Sequence, residues 1–229
     1  MLSRITLLCF VLLFSLSNGF AQKVNEVGAY VGLANYQGDF TRANLELGDT
    51  RYAVGALYRH HFNSKFTWRT NATLARLGGA DENAENDRIR EDRNWSFKST
   101  LVEVSTGFEW MPFRKANYGD TGVYNPQLNP YLFAGIGYAV SSSSLSGNPS
   151  SRLQLNETGG NNDLLVVPFG GGVRLDFKER MSLAGELSWR YTGSDYVDGI
   201  SAGKQETSDW YFLAGISFSY TLGEEALNK

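Results

Sequence analysis

Residues 26–40 read EVGAYVGLANYQGDF. Val27, Ala29, Val31 and Leu33 alternate with Gly28, Tyr30 and Gly32, the period of two that belongs to a β-strand with unlike faces. Which of those faces meets water decides between a soluble barrel and a membrane one.

The same alternation recurs along the chain. It runs through 51–62 (Tyr52, Val54, Ala56, Tyr58), 65–74 (Phe66, Trp68, Ala72, Leu74), 99–111 (Val102, Val104, Phe108, Trp110) and 130–140 (Leu132, Ala134, Ile136, Tyr138). It returns in 164–177, 181–191 and 209–220, which brings the count to eight strands. Tyr131 and Phe133 break the pattern by sitting on a face otherwise made of small residues, and Pro168 predicts a bulge in the sixth strand. The joins alternate in length: short at 63–64 and 178–180, long and polar at 35–50, 78–94, 141–163 and 192–208, with 112–129 the one longer connection on the short side. Long loops on one rim and short turns on the other match an outer-membrane barrel with both termini on the periplasmic side. The expected fold is therefore all-β: an eight-stranded antiparallel up-and-down transmembrane β-barrel.

The chain opens MLSRITLLCFVLLFSLSNGFAQ. One cation, an apolar run of about a dozen residues and Gly19 and Ala21 before Gln22 predict a secretory signal over 1–21, with the barrel domain over 22–229. That run is short of the ~20 residues a spanning helix needs. Cys9, the only cysteine, lies inside it, so the exported chain would hold no disulfide and no cysteine metal site. Losing Arg4 from 21 basic residues, against 24 acidic ones, leaves a charge of −4, which does not favour nucleic acid. No later window is apolar enough for a transmembrane helix, a test that overlooks barrel strands.

Volume argues for the inside-out arrangement, although a soluble lipid-carrying barrel shares the alternation. An eight-stranded barrel has an interior just filled by side chains. About forty large apolar residues cannot enter it; the glycines at 28, 32, 55, 107, 135, 137, 170, 172 and 215 can. They would share the lumen with Arg51, Arg59, Arg69, Arg174 and Arg190, offset by Glu26, Glu103, Glu109, Asp176, Glu186 and Asp209, so that buried charges are paired and no pore stays open. Trp68, Trp110, Trp189, Trp210, Tyr52, Tyr58, Tyr138 and Tyr220 fall towards strand ends, as interfacial girdles do.

Candidate chemistry is sparse. His60 and His61 are the only histidines; both are expected at the periplasmic rim, pointing opposite ways, unsuited to chelating one metal or to acting on an outer-leaflet lipid. The acids of DENAENDRIRED (81–92) lack the glycine and glutamate of a calcium loop and suit a hydrated surface loop. FGGGVRLD (169–176) lacks the lysine of a phosphate cradle. The serine-rich 141–163 reads as a loop, and the tail after Tyr220 continues past the last aromatic of the eighth strand. No catalytic, cofactor or metal residues are expected.

Taken in order, NEVGAYVGLANYQGDF, NWSFKSTLVEVSTGFEW, NPYLFAGIGY and VVPFGGGVRLDFKERMSLAGELSWRYTGSDYVDGIS resemble the PorG family, outer-membrane barrels of the type IX secretion system. The resemblance implies a non-enzymatic component that anchors or assembles the periplasmic ring of the PorK lipoprotein and PorN. The turn 112–129, with Arg114, Lys115, Tyr118 and Tyr124, is then the expected docking surface; the tips Asn35 to Asp39 and Thr192 to Asp198 would be external. An orphan structural or adhesion barrel and a lipid-modifying barrel enzyme are the alternatives.

Overall fold

The computed structural model describes residues 24–37, 50–80, 96–115, 124–146, 156–157, 160–192, 200–201 and 210–222. The alternating segments form strands β1 (Val24–Gln37), β2 (Arg51–His61), β3 (Phe66–Ala80), β4 (Ser96–Trp110), β5 (Gln127–Ser146), β6 (Gly160–Lys178), β7 (Met181–Tyr191) and β8 (Trp210–Leu222). Each pairs antiparallel with its neighbours in sequence, and β8 closes on β1 from Asn25↔Leu222 to Gln37↔Trp210. Closure leaves no strand edge, the condition a sheet must meet inside a bilayer. Outside the barrel, the two-residue strands Asn156–Glu157 and Ile200–Ser201 pair with each other.

The opening stretch turns its apolar side outward. Val31 is 54% exposed and Leu33 55%, whereas Glu26 is fully buried. The inversion repeats around the wall, with Val54, Leu74, Val102, Ile136, Leu165, Leu187 and Ile216 outside and the ions inside. An outer surface of this kind is stable only against lipid. The protein is thus a membrane barrel of the outer-membrane type, with the long connections on its external rim.

The turns at the other rim are closed by local chemistry. Between β2 and β3, the Asn63 side-chain oxygen accepts from the backbone N–H groups of Lys65 (2.8 Å) and Phe66 (2.9 Å). This lets two intervening side chains reverse the chain without leaving donors unpaired. The β6–β7 turn carries the bulge, between Asp176 and Lys178. Pro168 does not bulge: Ala134↔Phe169 and Gly137↔Val166 keep one register on both sides of it, and only the intervening pairing to β5 is missing. Proline removes one ladder donor, which costs a hydrogen bond without demanding an extra residue.

Several strands are longer than their periodicity suggested. β3 continues to Ala80 and β5 to Ser146, so the first residues of the serine-rich segment are strand rather than loop, and Ser141 faces inward against Ser99 at 2.7 Å. Serines conceal the alternation because both faces look polar. The expected signal over 1–21, the acidic 81–92 stretch and the tail after 222 lie outside the described residues.

The lumen has two storeys of different character. Towards the long-loop rim, Ala34, Ala53, Ala75, Leu77, Leu101, Ala139, Leu164, Val166, Tyr211 and Leu213 form a buried apolar cluster. The volume argument holds for most large residues but not for these, because alanines on β1, β2, β3 and β5 leave room for the leucines of β3, β4, β6 and β8. Towards the periplasmic rim the interior is ionic, with Met111, Tyr131, Phe133 and Ala184 packed into it.

Candidate functional site: the lumen plug and the periplasmic rim

The ionic storey follows from register. Glu26 on β1 lies opposite Arg59 on β2, and Arg59 lies opposite Arg69 on β3. Two adjacent guanidiniums are tolerable only if an acid lies between them. Glu109 on β4 supplies it: its Oε2 accepts from Arg59 Nε at 3.0 Å and from Arg69 Nη1 at 3.4 Å.

Around this pair the remaining charges interlock. Arg59 Nη1 donates to Glu26 at 2.8 Å and to Ser219 Oγ at 3.1 Å. Arg174 reaches across from β6 with Nη1 and Nη2 on the two oxygens of Glu26 (2.9 and 2.6 Å), while its Nε bonds Asp176 at 2.6 Å. Arg69 grips Glu186 at 2.9 Å and lies over the Phe133 ring, 3.9 Å from its centroid. Tyr131 donates its hydroxyl to the same carboxylate at 2.9 Å. This explains the two aromatics on the small face: one caps an acid and the other stacks on a cation.

A second, smaller cluster stands nearer the outer rim. Arg190 Nε bonds Glu103 at 3.3 Å and its Nη1 contacts Ser188 Oγ; Tyr211 donates to Glu103 at 2.5 Å.

Nine of the expected lumen ions are buried where the alternation put them: Glu26, Arg59, Arg69, Glu103, Glu109, Arg174, Asp176, Glu186 and Arg190. Arg51 is a correction. It is the first residue of β2, exposed at the strand mouth and, among the described residues, bonded to the neighbouring Thr50 carbonyl, because an inward parity means little where the wall has ended. Asp209 lies outside the described residues. The missing cation is Arg114, expected on a docking surface but found 3% exposed. The chain after β4 folds back under the mouth, with Met111 N–H on the Lys65 carbonyl at 2.8 Å, and sets Arg114 Nη2 3.2 Å from Asp176. Burial first, then Arg174, draw the Arg114 pKa below the ordinary arginine value, but a guanidinium remains charged. The described lumen therefore balances five arginines with five carboxylates.

His61 joins the plug, its Nε2 3.1 Å from Glu26 and its Nδ1 2.8 Å from Thr67 Oγ1, while His60 faces away towards Asn25 at 2.7 Å. Both lie at the periplasmic end, on opposite faces. His61, Tyr131 and Tyr211 shared parity with known lumen positions and were readable on that ground; Arg114, beyond any strand, gave no periodic signal. Of the other docking residues, Lys115 is exposed, Tyr124 is half-buried and Tyr118 is outside the described residues. Beside Lys115, Phe113 is 71% exposed.

An arrangement like this closes the barrel. Cross-links from β1, β2, β3, β4, β6 and β7 occupy the interior that a solute would need, and an apolar layer lies above them. Among the described residues, what remains accessible is the membrane-facing wall and the periplasmic rim.

These features define the class: an outer-membrane β-barrel with an occluded lumen. The chain belongs to the family described as a domain of unknown function, DUF6089, whose model matches residues 4–227. No curated protein matches the sequence. Among solved structures it is similar to the attachment invasion locus protein Ail of Yersinia pestis in complex with the heparin analogue sucrose octasulfate (9% identity, TM-score 0.48, covering 88% of this chain and 100% of that one). It is also similar to Neisserial surface protein A (11%, 0.46, 87% and 96%) and to a major outer membrane protein from Thermus thermophilus (11%, 0.48, 88% and 100%).

Proposed function

We propose that this barrel is a non-enzymatic component of the type IX protein secretion machinery that holds the periplasmic ring of the PorK lipoprotein and PorN at the outer membrane. The reading rests on the ordered PorG-like segments together with one observation: the lumen is closed, so the protein works through its surfaces. Residues 111–115, where its periplasmic turn begins, are tied to the plug by the buried Arg114–Asp176 pair and leave Phe113 and Lys115 exposed. An apolar ring beside a cation on a tethered segment is a suitable anchor for a partner, since less conformational freedom is lost on binding.

The test is a mild-detergent pull-down of the tagged protein from outer membranes, with heat-modifiable migration read on the same gel. Recovery of PorK and PorN by the wild type, lost in the Phe113→Ala Lys115→Glu variant while its band still shifts on heating, is the expected result. A heat-shifting wild-type barrel that recovers neither ring protein would sink the secretion role and leave a passive structural or adhesion barrel.

A further inference from the structure

The mouth of the lumen holds one titratable group that the plug does not need for its charge balance. His61 is the last residue of β2 and is 3% exposed at the periplasmic end. Its two ring nitrogens face unlike partners. Nε2 is 3.1 Å from Glu26 Oε2, whereas Nδ1 is 2.8 Å from Thr67 Oγ1 and 3.5 Å from Arg114 Nη1. An ionised carboxylate only accepts and a guanidinium only donates, so the tautomer is fixed: the proton is on Nε2 and Nδ1 is the acceptor. An imidazole held in this way is neutral.

The carboxylates at this end are already engaged. Glu26 on β1 holds Arg59 of β2 at 2.8 Å and Arg174 of β6 at 2.6 Å. Asp176 on β6 holds Arg174 at 2.6 Å and Arg114 at 3.2 Å. Glu109 on β4 holds Arg59 at 3.0 Å and Arg69 of β3 at 3.4 Å. Thr67, the neighbour on β3, carries no charge. Glu26 accepts from the Nε2 proton in either protonation state, so the effect of a second proton falls on the Nδ1 side. There it sets a new cation against Arg114 at close range, and like charges that near to one another repel strongly away from water.

Arg114 is the group able to yield. The other described lumen arginines, Arg59, Arg69, Arg174 and Arg190, are carried on strands, whereas residues 111–115 lie outside any strand. Besides the Arg114–Asp176 pair, this segment is held by the Met111 N–H on the Lys65 carbonyl at 2.8 Å and by the Lys115 N–H on the Gln127 side-chain oxygen at 3.3 Å. Its departure strands no acid, because Asp176 keeps Arg174 and accepts from Asn129 at 3.4 Å. It also preserves neutrality. With Arg114 gone and His61 charged, four arginines and one imidazolium face the same five carboxylates in the described lumen.

From this arrangement we infer that the periplasmic mouth is an acid-operated latch, in which a proton arriving on His61 Nδ1 expels Arg114 from Asp176 and frees residues 111–115 from the plug. Above the range in which histidine titrates the latch is closed, with Arg114 seated; below it the imidazolium takes the place of the guanidinium. Release moves Phe113 and Lys115, the exposed residues of that segment, away from their fixed position under the barrel. His60 takes no part, since it faces away from the lumen towards Asn25. The inference goes beyond the secretion reading and does not depend on which partner, if any, meets this rim.

The experiment is continuous-wave EPR of the folded barrel in detergent, with Cys9 removed or replaced and a nitroxide on Lys115→Cys. Spectra are compared at about pH 7.5 and about pH 5.5, a window in which histidine changes charge, and the heat-modifiable band confirms assembly at both. The mobile component of the labelled parent should grow on acidification, by at most about tenfold per pH unit, the ceiling for one linked proton. His61→Gln keeps a donor for Glu26 but cannot take the second proton, so its label should stay immobile at both values. In Arg114→Ala the label should be mobile at both, and His60→Gln should respond as the parent does. A parent that stays immobile in acid overturns the latch, and so does loss of the response in His60→Gln. A response that survives in His61→Gln or in Arg114→Ala also overturns it, and the arginine variant decides the matter if the histidine variant does not assemble.

Discussion

Arg174 places both terminal nitrogens on the carboxylate of Glu26, 148 residues away in sequence, and so ties β6 to β1 through the centre of the barrel. Backbone ladders join each strand only to its neighbours. The bond between these two residues crosses the lumen and makes the wall resist flattening as well as opening.

Replacing Glu26 by Gln removes the acid on which Arg59, Arg174 and His61 converge. Breaking a buried pair from one side leaves an uncompensated charge, at a cost of about 3–5 kcal/mol. The urea midpoint, followed by loss of the fast-migrating unheated band, should fall accordingly. Glu26→Gln combined with Arg174→Gln should cost less than the sum of the singles, since neither partner is then stranded. Additive losses would mean that Glu26 and Arg174 are not coupled.

Two glycines on neighbouring strands make a sharper contrast. A β-carbon on Gly215 would lie 2.5 Å from the Val31 carbonyl oxygen and 2.7 Å from Tyr30 Cζ, inside the lumen; one on Gly185 meets nothing within 4 Å. Gly215→Val should therefore impair assembly, with overpacking of about 1–3 kcal/mol or more in whatever folds. Gly185→Val adds a methyl surface to the lipid side and should change the unfolding free energy by no more than about 0.5 kcal/mol. The yield of heat-modifiable protein from the two variants decides the matter.

Much of this geometry was legible in the sequence because an eight-stranded barrel obeys one rule, a period of two, and a parity error would have turned every ion outward. Glu26 beside Val27, or Arg174 beside Val173, leaves no doubt about the face. The rule fails where both faces share a chemistry, as in Ser141–Ser146, and where the strand stops, as at Arg51. It is silent about Arg114, whose place is set by a turn folding back on the mouth. Tyr131 and Phe133 were visible as exceptions; their reasons, an acid to cap and a guanidinium to cover, needed the neighbouring strands.

Depth along one strand gives a test of the membrane assignment itself. Ile216 is at mid-height on β8, paired with Val31, and Leu222 is at the periplasmic end, paired with Asn25; both are exposed on the outer wall. Arginine at the midplane of such a barrel costs about 2–4 kcal/mol and near the interface about 0–1 kcal/mol. Ile216→Arg should thus lower stability in lipid vesicles far more than Leu222→Arg does. In a soluble barrel both substitutions would sit in water and differ little, so equal and small effects would overturn the inside-out arrangement.

The mouth of the barrel offers the last test, of whether Arg114 is a latch or merely a neighbour. Met111 is fully buried above the Arg114–Asp176 pair, and the only native cysteine, Cys9, precedes the barrel, so a cysteine at 111 reports on the mouth once Cys9 is removed or replaced. In Met111→Cys the thiol should react slowly with a membrane-impermeant maleimide, because it is exposed only when the turn swings away from β6. Adding Arg114→Ala removes a charged hydrogen bond contributing about 1.5–3 kcal/mol, which raises the opened population, and hence the labelling rate, by roughly ten- to a hundredfold. The lumen network of Glu26, Arg59 and Arg174 does not depend on that bond, so the urea midpoint should move much less than it does in Glu26→Gln. Acceleration of labelling without loss of the barrel would show that the periplasmic turn is fastened to the plug by one residue. Unchanged labelling would assign the hold on residues 111–115 to the backbone bond from Met111 N–H to the Lys65 carbonyl and to the bond from Lys115 N–H to the Gln127 side-chain oxygen instead.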